Sequence, residues 1–408
     1  MIRHLLVFMT LTTVAVTGQS ITVEHVLRQA VNAPEVTAVE KQLSGLEELD
    51  YSLPYVNNLE FRTRNNELLY NRQQYALRLD IENPFRVIQN RKYFEVRQQL
   101  GVLRRQRALK EVITGRYLML SELIGAHGLL VIRRSQDSLK KKLAEVYSEK
   151  SGSAEFDAED LIRARLEIVS GQADLKEAEY EFAVLERKIT ADAGASGASI
   201  AGLSDHIGPE QIIRVIDSVR LGSDLTEISE KAAESELAAR KVKVEESSFN
   251  LGWIQGMYAP YQITEGDKPA GVALGVSIPV FKKNKDDQAR SKVQLLEEQT
   301  ELDLMKIQAA AGFDERRESL RIKLRHYLEI REQLKSARDD QFSTLAAVSN
   351  YDPVPIIKLE AELLKFRVLL NKIESSILKE WILMLDQADV LIKSPLRNYL
   401  SPKITKLD

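Results

Sequence analysis

The stretch "YALRLDIENPF", Tyr75 to Phe85, alternates apolar and polar residues and then stops at Asn-Pro. A period of two is the mark of a strand with two unlike faces. Tyr75, Leu77, Leu79 and Ile81 fall on one face, and Ala76, Arg78 and Asp80 on the other. Far down the chain "VALGVSIPVF", Val272 to Phe281, has the same form: Val272, Leu274, Val276 and Ile278 oppose Ala273, Gly275 and Ser277. Each strand has an upstream companion. In "YVNNLEFRTR" Leu59, Phe61 and Thr63 oppose Asn58, Glu60, Arg62 and Arg64; "FNLGWIQGMYAPY" carries Phe249, Leu251, Trp253 and Met257 on one face. Two β-hairpins are expected, over about 55–82 and 249–279, with loops at about Asn65 to Gln74 and Tyr261 to Ala270.

Almost everything else reads as helix. The chain has 11 prolines, yet none lies between Pro84 and Pro209 or between Pro279 and Pro353. Proline is excluded from helix interiors, and these tracts are rich in Leu, Ala, Glu, Lys, Arg and Gln, all good helix formers. From Arg86 to about Ser148 one helix can run for roughly 60 residues, which is ~90 Å. Globular helices are rarely so long, so a coiled coil or helical tube is the natural reading. The tract breaks at Ser148 to Asp160 and resumes from Leu161 to Ile189, with a seam at three- and four-residue spacings that slips near Gly171. This predicts an antiparallel helical hairpin with a polar tip. The small-residue stretch Ala191 to Gly202 reads as a flexible connector.

The pattern then repeats. Phe85 and Phe281, which close the two strand motifs, are separated by the same interval as Tyr117 and Phe313, each about midway up a long helix. "DLIRARLEI" (Asp160 to Ile168) faces "PIIKLEAEL" (Pro355 to Leu363) at an interval shorter by one. The expected organisation is a signal peptide at 1–18 and a first repeat at 19–208, made of a helix, a β-hairpin, a helical hairpin at 86–189 and the connector. A second repeat follows at 209–394 with its helical hairpin at 280–394, and then a tail at 395–408. The fold class is mainly α with a small β part.

Composition bounds the function. A formal net charge of −3 does not fit a nucleic-acid binder, and the absence of cysteine excludes disulfides and thiol chemistry. The start "MIRHLLVFMTLTTVAVTGQS" has an arginine, an apolar run and small residues before Gln19, the anatomy of a cleaved export signal. No later window supplies the ~18 apolar residues that a spanning helix needs. The mature chain is thus either soluble and exported, or crosses a membrane by strands. Strands of about ten residues suit an outer membrane, and the charged faces suit a water-filled lumen with Glu60, Arg62, Arg78 and Asp80 facing inward. Four strands cannot close a barrel, and an unclosed edge is not tolerated in lipid. Three copies would supply twelve strands, above the minimum of about eight.

Four stretches, taken in order on this internal repeat, resemble the TolC-like outer-membrane efflux protein family. They are "ITVEHVLRQAVNAPEV", "LEELDYSLPYVNNLEF", "DLIRARLEI" and "VALGVSIPVFKKNKDDQARSKVQLLEEQTEL". The resemblance implies a homotrimer with a twelve-strand barrel in outer-membrane lipid and helical hairpins forming a periplasmic α-barrel. It also implies a periplasmic adaptor and an inner-membrane pump as partners. Relatives close the periplasmic end with acidic rings past the second hairpin tip. The matching stretch here, "NYDPVPIIKLEAEL", has Pro355 and Lys358 in those places. The resemblance therefore puts Asp157, Asp160, Tyr351, Asp352 and Lys358 near a constriction, with Lys358 altering its charge.

No catalytic, cofactor or metal motif stands out. The histidines (His4, His25, His127, His206 and His326) are scattered, and there is no P-loop, dinucleotide fingerprint or nucleophile elbow. "RRQR" at Arg104 and "KKK" at Lys140 read as solvated helix faces. The sequence is expected to be a passive exit duct carrying small molecules or ions. The alternative is a periplasmic coiled-coil adaptor or structural protein with a small soluble β domain.

Overall fold

The computed structural model describes residues 20–48, 53–65, 72–150, 158–247, 252–260, 270–276, 285–346 and 353–407. The signal segment 1–18, loop residues 66–71 and 261–269, and Phe249, Leu251, Ser277 and Ile278 lie outside them, as do Asp157, Tyr351 and Asp352. The first half of the chain forms β1 (Ser20–Thr22), α1 (Val23–Arg28), a 3-10 turn (Gln29–Asn32), α2 (Pro34–Glu47), β2 (Val56–Asn65), β3 (Gln73–Ile81), α3 (Pro84–Glu149) and α4 (Ala158–Asp192). The second half forms β4 (Ser199–Ala201), α5 (Pro209–Val215), a 3-10 turn (Ile216–Ser218), α6 (Thr226–Glu246), β5 (Gly252–Tyr258), β6 (Ala270–Val276), α7 (Lys285–Ala346) and α8 (Pro353–Gln387). A short β7 (Arg397–Asn398) and β8 (Thr405–Lys406) end it.

The long helices are matched: 66 and 62 residues for α3 and α7, and 35 each for α4 and α8. The single helix expected before each hairpin is instead broken in both halves. In the first, Ala33 is extended at ψ 145, as the residue before a proline prefers, and Pro34 opens the next helix. The connector also differs from its composition. Ile200 is buried and pairs with Ile21 in a parallel β1–β4 ladder, so one apolar residue anchors a stretch that otherwise reads as linker.

The chain folds as two units. One gathers residues 34–109 and 222–312 and contains the four-stranded sheet. Here "ENPF" is a built corner. Asn83 is buried; its Oδ1 accepts from the Phe85 amide at 3.0 Å, capping α3, where Pro84 needs no donor. Its Nδ2 donates to the Ser247 carbonyl at 2.8 Å, at the end of α6. Glu82, also buried, accepts from the Asn83 amide at 3.0 Å, from the Asn57 side chain and from Arg86 at 3.3 Å. The irregular register between Val56 and Asn58 leaves Asn57 outside the ladder, as a bulge does. Further along, Glu230 on α6 is buried between Arg104 and Arg107 of α3, so "RRQR" is partly an inter-helix clasp.

The other unit gathers residues 1–33, 110–221 and 313–408. As α3 advances from Lys110, its partners on α8 and the turn just after it recede: Lys110 Nζ meets Asp389 at 2.8 Å, Thr114 donates to Asp386 at 2.6 Å, and the Gly125 carbonyl accepts from Asn371 at 2.9 Å. The same antiparallel order runs from α3 to α4, through His127 against Phe182, Arg133–Asp174 at 3.0 Å, and Lys140 crossing Gly171. A Cβ on Gly171 would stand 2.8 Å from the Lys140 Cδ, so the slip in the seam is the place where a lysine stem crosses. Leu120, Leu123, Leu320, Ile377, Trp381 and Leu385 are fully buried together with the shorter α1 and α5 residues Val26 and Ile212. Burying such side chains contributes about 1.5–3 kcal/mol each. Tyr117 donates to the Arg397 carbonyl and accepts from the Tyr399 amide at 3.3 Å, tying the C-terminal segment to α3. Burial pushes its phenol well above the ordinary tyrosine range.

Candidate functional site

The sheet order is β2–β3–β5–β6, antiparallel throughout, so among the described residues β2 and β6 are open edges. Residues paired across an antiparallel ladder share a face. The register pairs Asn58 with Asp80, Glu60 with Arg78 and Arg62 with Ala76, so Glu60, Arg62, Arg78 and Asp80 lie on one face as the alternation predicts. Arg62 meets Glu60 at 2.6 Å, and Arg78 meets Asp80 at 3.0 Å. The other face carries Leu59, Phe61, Leu77, Leu79, Ile254, Val272 and Leu274. It is bare: Phe61 is 64% and Val272 77% exposed.

The face carrying Trp253 and Met257 proves to be the charged one. Asp80 pairs with Trp253, and Trp253 with Gly275, which sets Ile254, Gly256 and Tyr258 on the apolar side instead. The Arg78 guanidinium lies 5.0 Å from the Trp253 ring centroid. A Cβ on Gly275 would come within 2.2 Å of the indole, so the ring rests against bare backbone. On the charged face β6 carries Gly271, Ala273 and Gly275, which leave room for that ring. The aromatic content of Trp253 masked its parity; counting pairs from Asp80 resolves it.

A second cluster gathers at the ends of α3, α4 and α8. Leu143, Tyr147, Ala164 and Val354 form a buried cluster. Beside it a 490 Å³ cleft is lined by Arg133, Lys140, Tyr147, Asp160, Glu167 and Lys358 among others. The Lys358 ammonium lies 5.8 Å from the Tyr147 ring centroid. A hydrogen bond to the Tyr147 hydroxyl, with Asp160 and Glu167 nearby, holds it above the ordinary lysine range, against the effect of burial. The structure thus brings Asp160 and Lys358 together, while Asp157, Tyr351 and Asp352 lie outside the described residues. Tyr147 and Glu167 were not foreseen. Glu167 stands seven residues beyond Asp160, two turns along the same helix face, which is the signal that would have found it.

Among the described residues no group of histidines and carboxylates could hold a metal. Nor is any helix there long and apolar enough to cross a membrane, which says nothing of strands.

No family model and no curated protein sequence matches the chain. Solved structures do. The outer membrane protein VceC from Vibrio cholerae aligns at a TM-score of 0.64, covering 90% of this chain and 95% of that one at 11% identity. The outer-membrane channel OprN aligns at 0.65, with 90% and 89% coverage and 12% identity. The CmeC outer membrane channel from Campylobacter jejuni aligns at 0.59, with 90% and 84% coverage and 11% identity. The chain has the TolC-like channel fold. The fold is shared over most of each chain although only 11–12% of the aligned residues are identical.

Proposed function

We propose that the protein is a passive exit duct of the outer membrane, carrying small molecules or ions delivered from the periplasm. The observation that carries this reading is the sheet: one face bare and apolar, the other charged, with both edges open, on a channel fold. Lipid would cover Leu59, Phe61, Val272 and Leu274, and water would fill the side of Glu60, Arg62, Arg78 and Asp80. Open edges in lipid must pair, so three copies would close a twelve-strand barrel. A homotrimer is also supported by α4, which leaves Ile162, Leu166, Val169, Tyr180 and Val184 exposed for a neighbouring copy.

On this reading the chain is made of two repeats behind a signal peptide. The cluster at Tyr147, Asp160 and Lys358, with Asp157, Tyr351 and Asp352, forms the periplasmic constriction. The duct performs no chemistry. Energy and selection come from an inner-membrane pump joined through a periplasmic adaptor. Purified protein reconstituted in planar lipid bilayers is expected to give stepwise ionic conductance with no nucleotide present. Protein that inserts in no bilayer and conducts nothing would refute the duct.

A further inference from the structure

The histidines look scattered in sequence, but two of them lie near enough in the fold for the charge of one to act on the other. His127 is on α3, and His206 lies in the turn between β4 and α5. The His206 ring is engaged at both nitrogens: Nδ1 is 3.1 Å from the Leu203 carbonyl oxygen, and Nε2 is 3.4 Å from Oε1 of Glu374 on α8. A carbonyl oxygen only accepts, so Nδ1 must carry a proton. An ionised carboxylate also only accepts, so Nε2 must carry another. A neutral imidazole has one N–H and would leave one of these contacts as acceptor facing acceptor. The site fits an imidazolium.

Its surroundings agree. From α8 comes Glu374, and from the turn itself Asp205; the Glu374 hydrogen bond is the main cause that holds His206 above the ordinary histidine range, against burial. From α3 comes His127, which burial, Arg134 and the His206 charge hold below that range. From α7 comes Tyr327, beside Glu374, Arg331 and Glu210, with its phenol raised chiefly by burial. One histidine is thus poised charged and its neighbour neutral. The turn is otherwise tied down by the Ile207 amide, which donates to the Leu400 carbonyl at 2.7 Å.

We propose that protonated His206 is a pH-sensitive clamp that fastens the connector between the two halves of the chain to α8. The clamp goes beyond the duct reading, and its test does not depend on conductance. For a histidine raised above its unfolded value of 6.5, the stabilisation is fully present below that pH. It is lost as pH rises through the folded value.

The test uses the full chain in detergent. Imidazole NMR resonances are followed against pH, with His206→Gln and His127→Gln variants to assign them, and thermal midpoints are compared between about pH 6 and about pH 8.5. His206 is expected to titrate above 6.5. In Glu374→Gln that titration moves down, and the alkaline fall in thermal midpoint shrinks. If His206→Gln fails to fold, the Glu374→Gln comparison and the His127→Gln assignment still decide the matter. A His206 that titrates at or below the ordinary value, or a Glu374→Gln protein with an unchanged pH profile, would overturn the clamp.

Discussion

The side chain of Asn83 joins two helices at once: its oxygen caps α3 through the Phe85 amide at 3.0 Å, and its nitrogen donates to the Ser247 carbonyl at 2.8 Å where α6 ends. No apolar residue of that size can do both. Asn83→Ala removes the cap and leaves a buried carbonyl without this donor, so a loss of about 1–3 kcal/mol is expected. Asn83→Asp keeps the cap acceptor but sets a carboxylate oxygen against the Ser247 carbonyl beside buried Glu82, and should cost at least as much. Denaturant midpoints of the detergent-solubilised protein, at unchanged slope, would measure both.

The two faces of the sheet make opposite predictions. Leu79→Arg puts a charge on the bare apolar face and should cost about 2–4 kcal/mol near the middle of a membrane. Glu60→Gln, on the charged face, removes a partner of an exposed ion pair and should leave assembly intact. Yield of folded, membrane-inserted protein is the readout. Equal losses would mean that the facing is wrong.

Gly275 and Trp253 form a seat and its occupant. Gly275→Ala introduces a Cβ that meets the indole within 2.2 Å, so the ring must swing away from the strand. The other tryptophan, Trp381, is buried against the C-terminal segment and can be replaced by Phe to isolate the signal. In that background Gly275→Ala should shift the emission of Trp253. An identical spectrum would place the ring elsewhere.

Lys358 lies between Tyr147 and Asp160, linking α8 to the α3–α4 hairpin. Lys358→Met should cost less than about 1 kcal/mol of stability, since a partly exposed pair contributes little. If the cluster belongs to a constriction, conductance should nevertheless rise several-fold. Unchanged conductance in a stable variant would remove Lys358 from the gate.

Much of this was legible because period and punctuation are strong signals. The strand alternation at Tyr75 to Ile81 and the proline-free tracts map directly onto β3, α3 and α4. What stayed hidden were pairings. Nothing near Trp253 says that its cross-strand neighbour is Asp80, and an aromatic in a strand reads as apolar until register is known. Likewise His206 and Glu374 lie far apart in sequence, and only the packing of the turn onto α8 joins them. The break before Pro34 could have been read, because the residue preceding a proline resists helix.

Assembly is the property on which a duct depends. Membrane fractionation, paired with the native mass of the detergent-extracted protein, measures it most directly. An outer-membrane protein with the mass of three chains is the predicted result. A soluble protein of one or two chains would contradict it, and the sheet would then belong to a periplasmic adaptor.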